Sequence, residues 1–315
     1  MLEFLERSWG LEIRGFGRPF HITKINQTSI LVCDMDYHSI IELDLNKLSW
    51  RLNNGNGLWL SPDQSTEILL NFDEDLQIPK FCGPHSTLVE QDGNILIVCY
   101  YNRTLWKLAP CGSATKVLSS DVLHGPASIA RIDENTLAIA DYGSSSIIWC
   151  DNELKPNGRM GYSNGRFSFC HPLNAKCSAV ESAFSLDRVH MLAGYDDGSF
   201  LIADTWNNRL LFCENSISEL LRRKPGLGDY QELLLTEHRN FAVPVSVDIN
   251  REKEALVASW QNNAVILVDE KFKRFDLECA VDLKKPYHAV FAEGGIIVAD
   301  SHHSRVLFLR NPSFR

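Results

Sequence analysis

Short apolar runs separated by polar loops recur along this chain in one arrangement. Each has a strand-like run, then Ala or Cys and usually Asp, then five loop residues and a second apolar run. The copies are LVCDMDYHSIIEL from Leu31, LIVCYYNRTLWKL from Leu96, LAIADYGSSSIIW from Leu137, FLIADTWNNRLLF from Phe200, ALVASWQNNAVIL from Ala255 and IIVADSHHSRVLF from Ile296. Val, Ile, Leu and Phe in runs this short, with turn signals such as Gln91-Asp92-Gly93-Asn94 just before them, predict β-strands. The six anchors, Asp34, Cys99, Asp141, Asp204, Ser259 and Asp300, lie 41 to 65 residues apart. A repeat near the lower figure, enlarged by insertions, suits a four-stranded propeller blade and is too β-rich for a helical solenoid.

Six blades account for residues 1–315 as one all-β domain, a six-bladed β-propeller. The last repeat ends near Leu309, three strands into its blade, so Leu11–Arg14 is expected to supply the missing outer strand and remove an exposed edge. Each anchor Asp is expected to accept hydrogen bonds from the backbone of the turn that follows. Arg209 and Arg305, at the far end of two of these loops, are placed to lie over a neighbouring blade. Insertions stand at about 45–80, 151–186 and 213–240. The middle one, with Asn157-Gly158, Gly161 and Ser163-Asn164-Gly165, reads as a long loop that could cover one mouth; the last offers short helical turns at Ile217–Arg223 and Asp229–Leu235.

Asp204-Thr-Trp-Asn207-Asn208-Arg209-Leu210 and Asp300-Ser-His-His-Ser-Arg305-Val306 resemble the D-x-x-N-x-R-[IV] signature of NHL-repeat propellers. The resemblance covers about residues 19–310 and speaks for fold, since NHL propellers serve as enzymes, sensors and interaction platforms.

Charge narrows the function. A net charge of −9, with basic clusters only at Arg222-Arg223-Lys224 and Lys271-Lys273-Arg274, argues against nucleic acid as a partner. No run is long enough for a membrane span. The acidic start, Met-Leu-Glu-Phe-Leu-Glu-Arg, lacks the apolar core of a secretory signal. Nine cysteines without a close-spaced framework suggest a reducing compartment. The expectation is a cytoplasmic protein, monomer or weak homodimer, with a small-molecule substrate.

The innermost strand of each blade lines the central channel and precedes each anchor. His85 and His190 both stand 14 residues before their anchors, in blades two and four. His288 stands 12 before Asp300, where the hairpin is shortened to Gly294-Gly295; removing two residues preserves the face a side chain points to. His21, 13 before its anchor, turns away unless a bulge intervenes. Counted this way, three imidazoles on alternate blades converge on the axis, the donor set of a catalytic metal site. Zinc is the first choice, with iron, manganese or copper as alternatives. If Pro286 rather than Asp300 sets the register, Tyr287 takes the channel position instead.

The alternate-blade pattern is similar to the propeller of the peptidyl-α-hydroxyglycine α-amidating lyases. That resemblance implies zinc on His85, His190 and His288, and a working tyrosine at Tyr142. The lyases also carry an Asp after the third histidine and arginines beside the site; Ala289, Met35 and Thr205 stand at those positions here, so peptide amidation is not implied.

Residues just past the anchors should rim the same mouth: Tyr100, Tyr101, Tyr142, Trp206, Trp260 and His302. Tyr142 is the candidate acid or base and the others are candidate substrate contacts. Cys99, at an anchor, could be a ligand or nucleophile, or a small buried apolar residue. Three functions follow: a metal-dependent lyase or hydrolase for a small organic molecule, a non-catalytic propeller binding a peptide, protein or metabolite, and a lactonase resembling gluconolactonases. The last expects acidic and amide ligands where the channel strands carry His, Ser and Ala.

Overall fold

The computed structural model describes residues 2–62, 80–163, 166–170, 186–214, 235–278 and 281–314. They form six antiparallel sheets around a channel. Blade one runs outward through Pro19–Lys24, Ser29–Asp34, Ser39–Asp44 and Ser49–Asn53. Blade two follows with Pro84–Val89, Ile95–Cys99, Thr104–Leu108 and Ala114–Leu118. Blade three is Pro126–Asp133, Thr136–Asp141, Ser146–Cys150, Pro156–Ser163 and Arg166–Cys170. Blade four is Val189–Gly194, Phe200–Asp204, Arg209–Cys213 and Leu235–Arg239. Pro244–Ile249, Ala255–Ser259, Ala264–Val268 and Arg274–Glu278 make blade five. His288–Ala292, Gly295–Asp300 and Arg305–Arg310 begin blade six.

The chain's beginning completes that last blade. Gly10–Arg14 pairs antiparallel with Arg305–Arg310, Gly10 opposite Leu309 and Arg14 opposite Arg305, and Glu3–Arg7 adds a fifth strand. At the other end, Ser313–Phe314 pairs with the outer strand of blade five. Each inner strand neighbours the next around the ring, from blade six back to blade one. Closure by the N-terminal segment is therefore as the patterning predicts.

The core explains why the anchor strands read as unbroken apolar runs. Both faces of a blade are covered by neighbours, so alternation is lost and successive residues are all buried, as in Ile95–Cys99 and Phe200–Asp204. The buried side chains fall into inter-blade clusters. Leu31, Cys33 and Ile40 of blade one pack on Ile97 and Leu108 of blade two, and Ala138 and Trp149 of blade three on Leu192 and Phe200 of blade four. At roughly 1.5–3 kcal/mol for each large aliphatic side chain, these seams hold the ring shut.

The anchor carboxylates act differently from expectation. They mainly hold the segment that leads into the inner strand, 16 or 17 residues earlier in sequence. Asp34 accepts the amides of Gly17 (2.8 Å) and Arg18 (3.0 Å), Asp141 those of His124 (2.9 Å) and Gly125 (2.8 Å), Asp204 that of Asp187 (2.8 Å) and Asp300 that of Lys284 (2.7 Å). Among these four, an amide of the following turn is bonded by Asp34, from Tyr37 at 3.0 Å. Arg209 and Arg305 each fold back on their own anchor, at 2.6 and 2.7 Å. A buried carboxylate needs a counter-charge more than the next blade needs an arginine. Burial raises the Asp34 carboxyl to about 6 despite three amide bonds. Ser259 inverts the pattern: its hydroxyl donates to Ala242 O at 2.8 Å.

Part of the middle insertion is not loop. Pro156–Ser163 and Arg166–Cys170 form a hairpin extending blade three, with Gly161 opposite Ser146. Gly161 fits there because a Cβ would come within 2.6 Å of Ser146 Cβ. Residues 63–79, 164–165, 171–185 and 215–234, with the expected lid and helical turns, lie outside the described residues.

Candidate active site at the channel mouth

A repeated irregularity builds the site. In blade one Pro19 pairs with Asp34 and His21 with Cys33, leaving Phe20 as an extra residue. The same one-residue shift leaves His85, Ala127, His190 and Val245 extra in blades two to five. In blade six, His288 pairs with Ala299 while the amide of Tyr287 also goes to Ala299 O at 3.0 Å. A bulge sets two consecutive residues against one on the partner strand, so both turn toward the channel. Two rings result. The outer ring is Phe20, His85, Ala127, His190, Val245 and Tyr287. The ring below it is His21, Ser86, Ser128, Met191, Ser246 and His288.

This arrangement corrects the histidine register. His288 is not equivalent to His85 and His190; it belongs to the lower ring with His21, and Tyr287 takes the blade-six position beside the other two. His21, expected to face away, lines the channel because every blade carries the bulge. Counting from Pro19, Pro84, Pro126, Pro244 and Pro286 gives the true register in five blades, since the residue after each proline is the extra one. Counting back from the anchor carries the variable hairpin length into the answer.

In the outer ring the imidazoles of His85 and His190 lie 4.8 Å apart, and the Tyr287 ring is 5.4 Å from His190 and 6.2 Å from His85. Phe20 stacks on Tyr287 at 3.7 Å and meets His85 edge-on at 4.7 Å. His85 Nδ1–H donates to Ala127 O of the next blade at 2.8 Å, so Nε2 keeps the lone pair. His190 stands beside the backbone of Val245, the corresponding residue one blade further round, which acts against the lowering of its pKa. Burial pushes the His85 imidazole down to about 4, with the charge of Arg18 adding to it. Burial and the neighbouring His85 hold His190 well below the ordinary histidine range. Both rings are neutral near pH 7.

The lower ring is also neutral. His288 Nδ1 accepts the Ile22 amide at 3.1 Å, and the ring stacks on His21 at 4.2 Å. Burial lowers His288 to about 3 and takes His21 well below its usual value. His21 also meets Thr23 Oγ1 at 3.2 Å and Ser86 Oγ at 3.3 Å. The rings enclose about 10 Å³, the scale of one water molecule.

Above the outer ring, the predicted rim residues do gather. Tyr100 lies 5.6 Å from His85 and 6.0 Å from Tyr142, and Tyr142 lies 5.8 Å from His190. The Tyr142 hydroxyl accepts from Trp206 Nε1 at 3.0 Å and from Arg188 Nη1 at 3.4 Å. Tyr101 receives Arg18 Nη2 at 3.3 Å. Gly83, at φ +64°, lets the Tyr101 ring lie against the backbone where a Cβ would come within 2.5 Å. Trp260 and Tyr287 both pack on the cluster of Val243, Val245 and Ala258, and Trp260 stands 6.2 Å from His302. Trp206 and Tyr101 keep 48% and 50% of their surface open, large for aromatics in a folded chain.

Sequence reasoning missed Phe20 and the cations Arg18, Arg188 and Lys285, whereas Tyr287 takes the channel position that the Pro286 register assigned to it. Those cations sit in the lead-in to the inner strands, a position that the repeat pattern leaves unmarked. Cys99 is fully buried and its thiol is pushed well up by burial, which suits the small apolar role and removes it as a nucleophile.

The side chains present do not fit the three-histidine metal centre. His288 lies in a different ring from His85 and His190, and among the described residues no group of three or more His, Cys, Asp or Glu is placed to hold a metal ion.

No protein-family model matches the chain, and no curated protein matches it. Solved structures do. Virginiamycin B lyase from Staphylococcus aureus superposes with TM-score 0.65 at 8% identity, over 98% of this chain and 99% of that one. A catalytically inactive histidine-to-alanine variant of virginiamycin B lyase from the same organism, with quinupristin, gives 0.62 at 9% identity, over 97% of each. A streptogramin B lyase gives 0.60 at 13% identity, over 100% and 98%. At these identities the likeness establishes the propeller fold.

Proposed function

We propose that this propeller is an enzyme that acts on a small organic molecule at the channel mouth, a lyase first and a hydrolase second. The observation that carries the reading is the pairing of two kinds of proton-handling group in one aromatic pocket. His85 and His190 are neutral imidazoles 4.8 Å apart, His85 oriented by the Ala127 carbonyl of the next blade, and Tyr142 is a phenol whose oxygen already accepts from Trp206 and Arg188. Such groups, positioned and shielded from water, are what general acid–base catalysis requires.

In the lyase form, His190 takes the proton from a carbon next to the bond that breaks. The C–H electron pair becomes the new double bond, the leaving oxygen departs with the bonding pair, and Tyr142 gives it the phenolic proton. The proton on His190 then returns to Tyr142 through the released site or solvent. A cation on His190 is disfavoured in the empty pocket, so its basicity develops only as negative charge builds on the substrate beside it. The lyases of like fold support this reading, as does the inactivity of the histidine variant among them. The exposed Trp206 and Tyr101 favour the second reading, a propeller that binds without turnover.

The test is a mass-spectrometric comparison of a small-metabolite extract incubated with wild type and with His190→Gln. A lyase consumes a compound and yields two whose masses sum to it, while a hydrolase adds one water. Tyr142→Phe is expected to slow the same conversion by about 100-fold or more. No wild-type-dependent change, or the same change with a folded His190→Gln protein, would overturn catalysis and leave the binding reading.

A further inference from the structure

The candidate site has three cations at its rim, of which Arg188 also bonds the Tyr142 hydroxyl. Arg18 and Arg188 directly precede the inner strands of blades one and four, and Lys285 stands at the equivalent place in blade six, just before Pro286. The corresponding residues elsewhere are Gly83, Gly125 and Val243. Arg188 and Lys285 hold left-handed backbone, φ +54° and +49°, as Gly83 and Val243 do at the equivalent positions, so the lead-in turn of the blade sets where these side chains emerge.

What these cations touch is informative. Arg18 has a carboxylate partner, Asp36, at 2.7 Å. Arg188 and Lys285 have none within ion-pair distance among the described residues; Asp187, next to Arg188, acts on it only as a nearby charge. Instead they lie on aromatic faces. The Arg188 guanidinium is 5.6 Å from the Tyr142 ring centre and 5.2 Å from that of Trp206, and Lys285 Nζ is 3.2 Å from that of Trp260. Aromatic faces order a cation without neutralising it. Arg188 uses one donor on Tyr142, leaving most of its five-donor fork uncommitted. Their field is felt by neighbouring imidazoles: beside the larger effect of burial, Arg18 helps to lower His85 in the channel, and Lys285 and Arg18 help to lower His302 at the rim. In a chain of net charge −9, a mouth with two uncompensated cations is a local reversal of sign.

Resting on the assignment of this mouth as the substrate site, we propose that the substrate carries a carboxylate, gripped by Arg188 and drawn in by Lys285 and Arg18. The planar fork of arginine matches a carboxylate in two parallel hydrogen bonds, and the flanking Trp206, Tyr142 and Trp260 cover the rest of a compact acid. An anion there also places negative charge near His190, which favours proton uptake by that imidazole. Acids with a flat or apolar body are therefore preferred over neutral analogues of the same shape.

Ligand-observed NMR with benzoate and its neutral isostere benzamide tests the idea without turnover. Benzoate is expected to bind and benzamide to bind at least about tenfold more weakly. Raising salt from 0.02 to 0.5 M should weaken only benzoate, and Arg188→Gln should reduce benzoate binding by about tenfold or more, with the melting temperature checking the fold. Lys285→Gln supplies an independent variant. Equal binding of the two probes, no binding of benzoate, or unchanged benzoate affinity in both folded variants would overturn the proposal. Because His190→Gln leaves the cations in place, it should still bind benzoate. Carboxylate binding without any turnover would thus sink catalysis alone, and His190-dependent turnover of neutral compounds only would sink the carboxylate alone.

Discussion

The register that puts His288 in the lower ring has a thermodynamic consequence. Its imidazole is buried, with Nδ1 accepting the Ile22 amide, and its pKa is lowered to about 3. In the unfolded chain a histidine titrates at about 6.5. From pH 6.5 down to about 3, the unfolded state binds a proton that the native state refuses. The stability His288 contributes is therefore complete above pH 6.5 and is lost as pH falls, with a slope reaching about 1.4 kcal/mol per pH unit. His21, His85 and His190 act in the same direction. Asp34 acts against them: its raised pKa, about 6, makes the native state take up a proton first on acidification, so its contribution is present at low pH and lost as pH rises through 6. Comparing wild type with His288→Asn cancels the shared terms, and the Asn carbonyl can still accept the Ile22 amide. Urea unfolding, followed by tryptophan fluorescence at pH 4.5 to 8, should give a variant whose stability falls less steeply below pH 6. The expected difference in slope is about 1.4 kcal/mol per pH unit, with parallel curves above pH 7. Parallel curves throughout would mean that His288 is open to protons in the native state, and the two-ring register would fail.

Asp204→Ala removes a fully buried carboxylate 2.6 Å from buried Arg209 and should cost about 3 kcal/mol in the same unfolding assay, because the guanidinium keeps only Glu237, at 3.3 Å, and the Asp187 amide loses its acceptor. Thiol labelling of the native protein should modify exposed Cys111, whose pKa is lowered by its contact with Ser113, while Cys99 stays unlabelled until denaturant is added.

Much of the site was legible because the repeat is a ruler. Tyr100, Tyr142, Trp206, Trp260 and His302 follow anchors that end equivalent strands, so they had to emerge at one end of the ring. His85 and His190, equally spaced from equivalent anchors, had to share a level. The ruler failed at His21 because a bulge turns two consecutive residues toward the channel, and at His288 because a count back from the anchor includes a hairpin of different length. It failed again at Arg209 and Arg305, whose partners were decided by the depth of burial of Asp204 and Asp300.

Fold class, blade number and ring closure follow from local information, since strand length, apolar content and turn chemistry repeat with a period that only a closed ring of sheets can bury. Which side chains meet in the channel does not. That depended on a one-residue bulge in the inner strands, on the backbone of the next blade, which bonds His85 through the Ala127 carbonyl and His288 through the Ile22 amide, and on lead-in segments pinned by distant aspartates so that Arg188 and Lys285 face the mouth. These are relations between residues far apart in the chain, set by packing geometry at scales smaller than a strand, and only the folded ring brings them together.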